Sequence, residues 1–239
     1  MSTIRPTFLI CGAKKAGTTA LANYLREHPN VILSHPKETN FFRDHYEKGL
    51  SWLAECYEHY DGEEAIGEAS VWNMYAPTAA ERIYETVPEA RLIFVLRDPV
   101  PRALSQYYYD LRCGLIEPHR SFEDVVKNPK TSEEQNVVAM GFYDEQLERF
   151  MKYFDRKQMH VLLSRDLRES TKATVEEVAQ FIGVDPDHVP SQYEQHNQTR
   201  YIQNRGAYNA VRTVWTPMRN QVEAMFPKLV DTLRSKVRS

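Results

Sequence analysis

Phe8-Leu-Ile-Cys-Gly12-Ala-Lys-Lys15-Ala16-Gly17-Thr18-Thr19-Ala-Leu21 is the stretch on which the reading of this chain turns. An apolar strand over Thr7–Cys11 runs into a loop of Gly, Lys and Thr, and a helix expected over Thr18–His28 leaves it. Ala20, Leu21, Tyr24 and Leu25 then share one face of that helix. Loop amides and the open first turn of a helix converge on one anion, and the helix dipole favours negative charge there. Strand, loop and helix in this order therefore predict a phosphate cradle.

Outward from the cradle, apolar runs and helical periods alternate. Val31–Leu33 reads as a short strand, 50–59 as a helix, and Ala65–Gly67 as a weak strand. Pro77 opens a helix to Thr86, because proline suits the first helical turn. Arg91–Leu96 is the clearest strand, followed by a helix over 100–115. Residues 120–140 are polar and read as an irregular surface excursion able to fold over a site. Phe142–Phe154 is an amphipathic helix, Met159–Leu163 a late strand, and Thr171–Ile182 a helix stopped by Gly183. Residues 185–206 read as loop and the tail as helical, broken at Pro217 and Pro227. This alternation predicts an α/β fold: one domain over 1–239, with a central, mostly parallel sheet flanked by helices and a helical C-terminal tail. Ligands of such folds bind beyond the carboxyl ends of the strands.

Composition narrows the function. A chain of 239 residues with 42% hydrophobic and 26% charged residues has the make-up of one globular α/β domain. A net charge of −3 argues against a nucleic-acid binder and, weakly, against a grip on a polyanionic polymer. Cys11, Cys56 and Cys113 have neither metal-ligand nor disulfide spacing, and the histidines lack ligand spacing too. With no apolar leader and no long apolar run, a cytoplasmic protein away from membranes is expected.

A second motif follows the clearest strand: Arg97-Asp98-Pro99-Val-Pro101-Arg102-Ala-Leu-Ser105-Gln-Tyr107. An Arg fork at the strand end and a hydroxyl on the next helix suit a second phosphate. The plainer reading is a structural turn with Arg97 paired to Asp98. The cradle also differs from a nucleotide triphosphatase loop, where Lys directly follows the second Gly. Here Thr18 follows Gly17 and the lysines come earlier. Nor does an apolar strand end in a clear Mg²⁺-binding Asp, so a kinase or phosphotransferase is the second reading.

Together, the two motifs resemble those of the sulfotransferases that use 3′-phosphoadenosine 5′-phosphosulfate (PAPS). The resemblance covers roughly residues 7–184 and includes Gly141-Phe-Tyr143 and Phe181-Ile-Gly183. It implies that Lys15, Ala16, Gly17, Thr18 and Thr19 bind the 5′-phosphosulfate, and that Arg97 and Ser105 bind the 3′-phosphate, with Arg205 a further contact. It implies that Glu38, in His35-Pro-Lys37-Glu38-Thr39-Asn40-Phe41-Phe42, is the catalytic base, as in the heparan sulfate and many bacterial branches. His35 is the competing base, and pairing with Lys37 is the plain alternative for Glu38. Lys15 would also act in catalysis, on the leaving group. The implied reaction moves a sulfuryl group in line to a hydroxyl of a small-molecule or natural-product acceptor, leaves adenosine 3′,5′-bisphosphate (PAP), and needs no metal.

One departure stands out. Many relatives carry a Lys where Gly67-Glu68-Ala69-Ser70 here has Ala69. Either some charge stabilisation comes from elsewhere or the acceptor geometry differs, and a non-catalytic nucleotide-binding module is the third reading. Trp72, Tyr75 and Tyr107–Tyr109 are candidates for an apolar acceptor pocket, although aromatics on such helices are more often core. Arg102 is expected to brace its turn rather than to bind.

Overall fold

Leu, Ile, Val and Phe make up most of the apolar runs, and five of these runs pair in parallel in the computed structural model, which describes residues 4–188. They are β1 (Phe8–Gly12), β2 (Val31–Leu33), β3 (Ala65–Glu68), β4 (Arg91–Leu96) and β5 (Met159–Leu163). The sheet order is β2-β3-β1-β4-β5. Chain connections leave β1 toward the β2 edge and β4 toward the β5 edge, so the strand order reverses beside β1, where open α/β sheets bind ligands. β1 and β3 are buried along their whole length, as parallel strands covered on both faces are. Gly67 is required by this packing: a Cβ there would lie 2.2 Å from Phe8 Cζ and 2.5 Å from Leu33 Cδ2.

The helices among the described residues are α1 (Thr18–Arg26), α2 (Gly49–Glu55), α3 (Ala79–Thr86), α4 (Pro99–Arg112), α5 (Phe122–Lys127), α6 (Ser132–Ala139), α7 (Tyr143–Met151), α8 (Asp166–Glu169) and α9 (Thr171–Ile182). None of them is long and apolar enough to cross a membrane. The described chain divides into two compact units. One comprises the sheet with the residues up to Leu96 and those from Leu147 onward; the other is Arg97–Gln146. The expected loop and helical tail beyond residue 188, Arg205 included, lie outside the described residues.

Within the second unit the excursion at 120–140 is not irregular. Ser121 caps α5 in a capping box with Asp124, and Thr131 caps α6 by accepting from the Glu134 amide. Both signals stand in the sequence as a hydroxyl residue followed three positions later by a carboxylate, but each helix is too short to carry a readable apolar stripe. The two helices are tied by Arg120, whose Nε donates to Glu134 Oε1 at 2.8 Å and whose Nη2 donates to Glu134 Oε2 at 2.9 Å. Tyr107 Oη donates to the Arg120 carbonyl at 2.7 Å. Arg102 is fully buried, donates to Gln106 on its own helix and to the Val137 carbonyl of α6, and so ties α4 to α6 rather than bracing the turn before α4.

Candidate active site

The cradle forms because β1 ends in residues that leave the extended region. Lys15 has φ 68° and Gly17 has φ 108°, both left-handed, so the chain turns sharply and enters α1. Gly17 occupies the N-cap position of α1 and supplies no side-chain cap, and no acidic residue lies in the first turn. Thr18 and Thr19 are therefore the first two helical residues, and neither is the N-cap. The first amides of a helix have no intrahelical acceptor. Here they meet no capping oxygen and no carboxylate from their own turn, which suits an anionic ligand. These features fit the phosphosulfate end of PAPS. The Ala13 amide donates to Val95 O of β4 at 2.9 Å, and the Ala16 amide donates to Ala13 O within the loop at 3.2 Å. Those bonds hold the cradle in shape.

Glu38 lies in the segment that follows β2, and because the sheet is parallel this segment leaves the same edge as the cradle. Its neighbours are pinned on both sides. Ser34 N donates to Gly67 O at 3.0 Å, and His35 N donates to Cys56 O at 2.8 Å. Downstream, Asn40 adopts a left-handed conformation (φ 50°) and its amide donates to Ser70 Oγ at 3.0 Å. Lys37 Nζ contacts Glu38 Oε1 at 3.2 Å, so the plain alternative of a Lys37 pair is present. The Glu38 side chain remains 38% exposed. A half-exposed pair of this kind contributes about 0–1 kcal/mol and gives way readily to another partner.

The residue that sequence reasoning passed over is Glu68. It ends β3, is fully buried, and accepts from Thr39 Oγ1 at 2.8 Å, Asn73 Nδ2 at 2.9 Å, Ser70 N at 3.3 Å and Ser70 Oγ. Burial raises its pKa above the usual carboxylate range, against the opposing pull of those donors. The legible signal was a carboxylate closing a strand that is otherwise apolar. The next residues, Val71–Ala76, form the floor beside the cradle. Met74 N donates to Cys11 O at 2.9 Å, and Arg149 Nη2 of α7 donates to Met74 O at 3.2 Å and Tyr75 O at 2.9 Å. Trp72 stands half-buried with Lys14 Nζ 5.3 Å and the Arg43 guanidinium 4.3 Å from its ring centre. Lys14 thus brings positive charge beside a loop whose position 69 is alanine, while the Arg43 guanidinium is paired with the Asp44 carboxylate at 2.6 Å.

In the second unit, Asp98 caps α4 by accepting from Val100 N at 2.9 Å. Arg97 directly follows β4, and its carbonyl accepts from Tyr143 Oη at 3.0 Å. Burial pushes the Tyr143 phenol up to about 12, so it stays a donor. Ser105 is buried on α4. Lys15 to Thr19 and Glu38 therefore belong to the sheet unit, and Arg97 and Ser105 to the helical one.

The sequence matches the family described as "Sulfotransferase domain" over residues 5–228. A solved sulfotransferase from Alicyclobacillus acidocaldarius shares 26% identity and superposes with a TM-score of 0.80, covering 93% of this chain and 96% of that one. The membrane-associated sulfotransferase kil1 of Dictyostelium discoideum is 38% identical over 110 residues, 45% of this chain and 23% of the relative. The bifunctional heparan sulfate N-deacetylase/N-sulfotransferase 4 of Mus musculus is 29% identical over 197 residues, 76% of this chain and 22% of the relative. This chain therefore spans less than a quarter of the length of either of these two relatives.

Proposed function

The chain belongs to the sulfotransferase domain family, and from that premise we propose that it moves a sulfuryl group from PAPS to a hydroxyl acceptor. The observation that carries the proposal is the uncapped start of α1 behind Lys15 and Gly17, a cradle without a competing carboxylate in its first turn.

The acceptor oxygen attacks sulfur in line, and the bond from sulfur to the bridging oxygen of the donor breaks. The products are a sulfate ester and PAP. Lys15 faces the charge that builds on the departing phosphate oxygen, and the amides of Gly17, Thr18 and Thr19 share it, while Ala16, whose amide is bound to Ala13 O, shapes the loop. Glu38 accepts the acceptor's proton as the new bond forms; a positioned base of this kind contributes about 10²–10⁴-fold. Arg97 and Ser105 read the 3′-phosphate, the group that separates PAPS from an ordinary adenylate. Arg205 is assigned the same phosphate from sequence alone. The reaction as drawn uses no metal.

We assign the acceptor to small hydroxyl compounds and natural-product scaffolds, on the net charge of −3 and on Trp72 and Tyr75, which stand half-exposed beside the cradle. An amine acceptor is the second reading, supported by the similarity to the bifunctional heparan sulfate N-deacetylase/N-sulfotransferase 4 of Mus musculus. A cytosolic setting fits three free thiols, one of them exposed. The test is PAP release from PAPS over a panel of phenols, alkyl alcohols, sugars and glucosamine. Release that depends on one acceptor class and is lost in Glu38→Gln supports the reading. ADP release from ATP–Mg²⁺ at a rate equal to or above that of PAP release from PAPS overturns it.

A further inference from the structure

Glu68 is a buried carboxylate with an unusual set of partners. Each of its hydrogen bonds comes from a neutral donor on one of two segments: Thr39, immediately after Glu38, and Ser70 and Asn73 after β3. The same network holds the backbone beyond Glu38. Ser70 Oγ, which donates to Glu68, also accepts from the Asn40 amide at 3.0 Å. Thr39 Oγ1, which donates to Glu68, also accepts from the Phe41 amide at 3.1 Å. Asn40 sits between them at φ 50°, a left-handed conformation that persists only where the surroundings impose it. The two residues after Glu38 are thus tied to the end of β3 through one carboxylate.

We propose that Glu68 is a positioning residue for the sulfuryl transfer, holding the Thr39–Asn40 segment so that Glu38 presents its carboxylate to the acceptor. This rests on Glu38 being the base. Glu68 touches neither donor nor acceptor in this account and acts only through Glu38. A carboxylate suits the task because it accepts several hydrogen bonds and donates none. Glutamine at the same place turns one acceptor atom into a donor aimed at the donors of Ser70 and Asn73, and the segment loosens. A misplacement of about 1 Å at a reacting group costs about 10²-fold in rate.

The experiment compares Glu38→Gln, Glu68→Gln, Thr39→Val and the Thr39→Val/Glu68→Gln double variant. PAP release from PAPS is measured with water as the acceptor, and PAP binding by calorimetry. Hydrogen exchange at the Asn40 and Phe41 amides reports the segment directly. The expected result is a fall in release of about 100-fold in Glu68→Gln, a smaller fall in Thr39→Val, and a double variant no slower than the slower single. PAP affinity stays within about threefold, and protection at Asn40 and Phe41 is lost. Thr39→Val keeps the buried carboxylate, so it carries the test if Glu68→Gln fails to fold. Normal release by Glu68→Gln and Thr39→Val beside an impaired Glu38→Gln overturns the positioning role and leaves the base in place. Normal release by Glu38→Gln overturns both. PAP affinity falling in step with release identifies a general structural defect and also overturns the proposal.

Discussion

Replacing Gly17 by alanine isolates the backbone geometry of the cradle from its packing. Gly17 sits at φ 108° and ψ 10°, a left-handed conformation that a Cβ disfavours. An added Cβ would meet Leu167 Cδ2 at 3.5 Å and Ser164 Oγ at 3.8 Å, both ordinary contact distances, so no packing clash enters the sum. The remaining term is conformational, about 1–2 kcal/mol for an L-residue held left-handed. It must surface in one of two measurements. If the neighbouring structure holds the loop in place, the folded state carries the strain, and Tm falls by about 2–8 °C for a chain of this size. If the loop relaxes in the free protein, the binding-competent conformer becomes rare, and PAP affinity falls by about 5–30-fold. Calorimetric titration with PAP and thermal melting, run on the same preparation, read both, and the two losses together should come to about 1–2 kcal/mol. An alanine variant with unchanged Tm and unchanged PAP affinity would refute the claim that the cradle needs a left-handed residue before α1.

Three further outcomes follow from the site and its scaffold. Arg97→Ala removes a charge-assisted contact of about 1.5–3 kcal/mol, so PAP binding should weaken about 10–100-fold while adenosine 5′-phosphosulfate is little affected; equal losses for both ligands would contradict the assignment of Arg97 to the 3′-phosphate. Gly67→Ala forces a Cβ against the buried Phe8 and Leu33 side chains and should cost about 1–3 kcal/mol or more, read as a lower midpoint in urea; an unchanged midpoint would contradict the packing of β1 against β3. Burial raises the Glu68 pKa above its ordinary value of 4.5, so the folded state binds this proton more tightly than the unfolded chain. The stability advantage of the wild type over Glu68→Gln should therefore shrink as pH rises above 4.5, checked by melting curves across pH 4–8 on both proteins; an advantage that grows would reverse the sign.

The cradle was legible because its chemistry is local. Strand, Gly-Lys-Thr loop and helix lie within fourteen consecutive residues, and the conformations of Lys15 and Gly17 follow from the turn those residues must make. The strand ends were equally readable: Val31–Leu33, Arg91–Leu96 and Met159–Leu163 emerge with the bounds their apolar runs suggest. Glu68 was legible only as a carboxylate closing an apolar strand; its role was not. Its role depends on Thr39, 29 positions away, and no local pattern links a strand-end carboxylate to a distant hydroxyl. The helices α5 and α6 were missed for a different reason. Their stability comes from caps and from the Arg120–Glu134 pair rather than from an apolar stripe. Arg102 was expected to brace its turn; it ties α4 to α6 instead, through the Val137 carbonyl, a backbone atom that no side-chain pattern reveals.

The central claim is that this chain binds the nucleotide of PAPS through its 3′-phosphate. The direct measurement is a calorimetric titration with adenosine 3′,5′-bisphosphate, with AMP and ATP–Mg²⁺ titrated alongside. The expected result is binding of the bisphosphate without added metal, weakened strongly when the 3′-phosphate is missing. Preference for ATP–Mg²⁺, or equal binding of AMP and the bisphosphate, would contradict it.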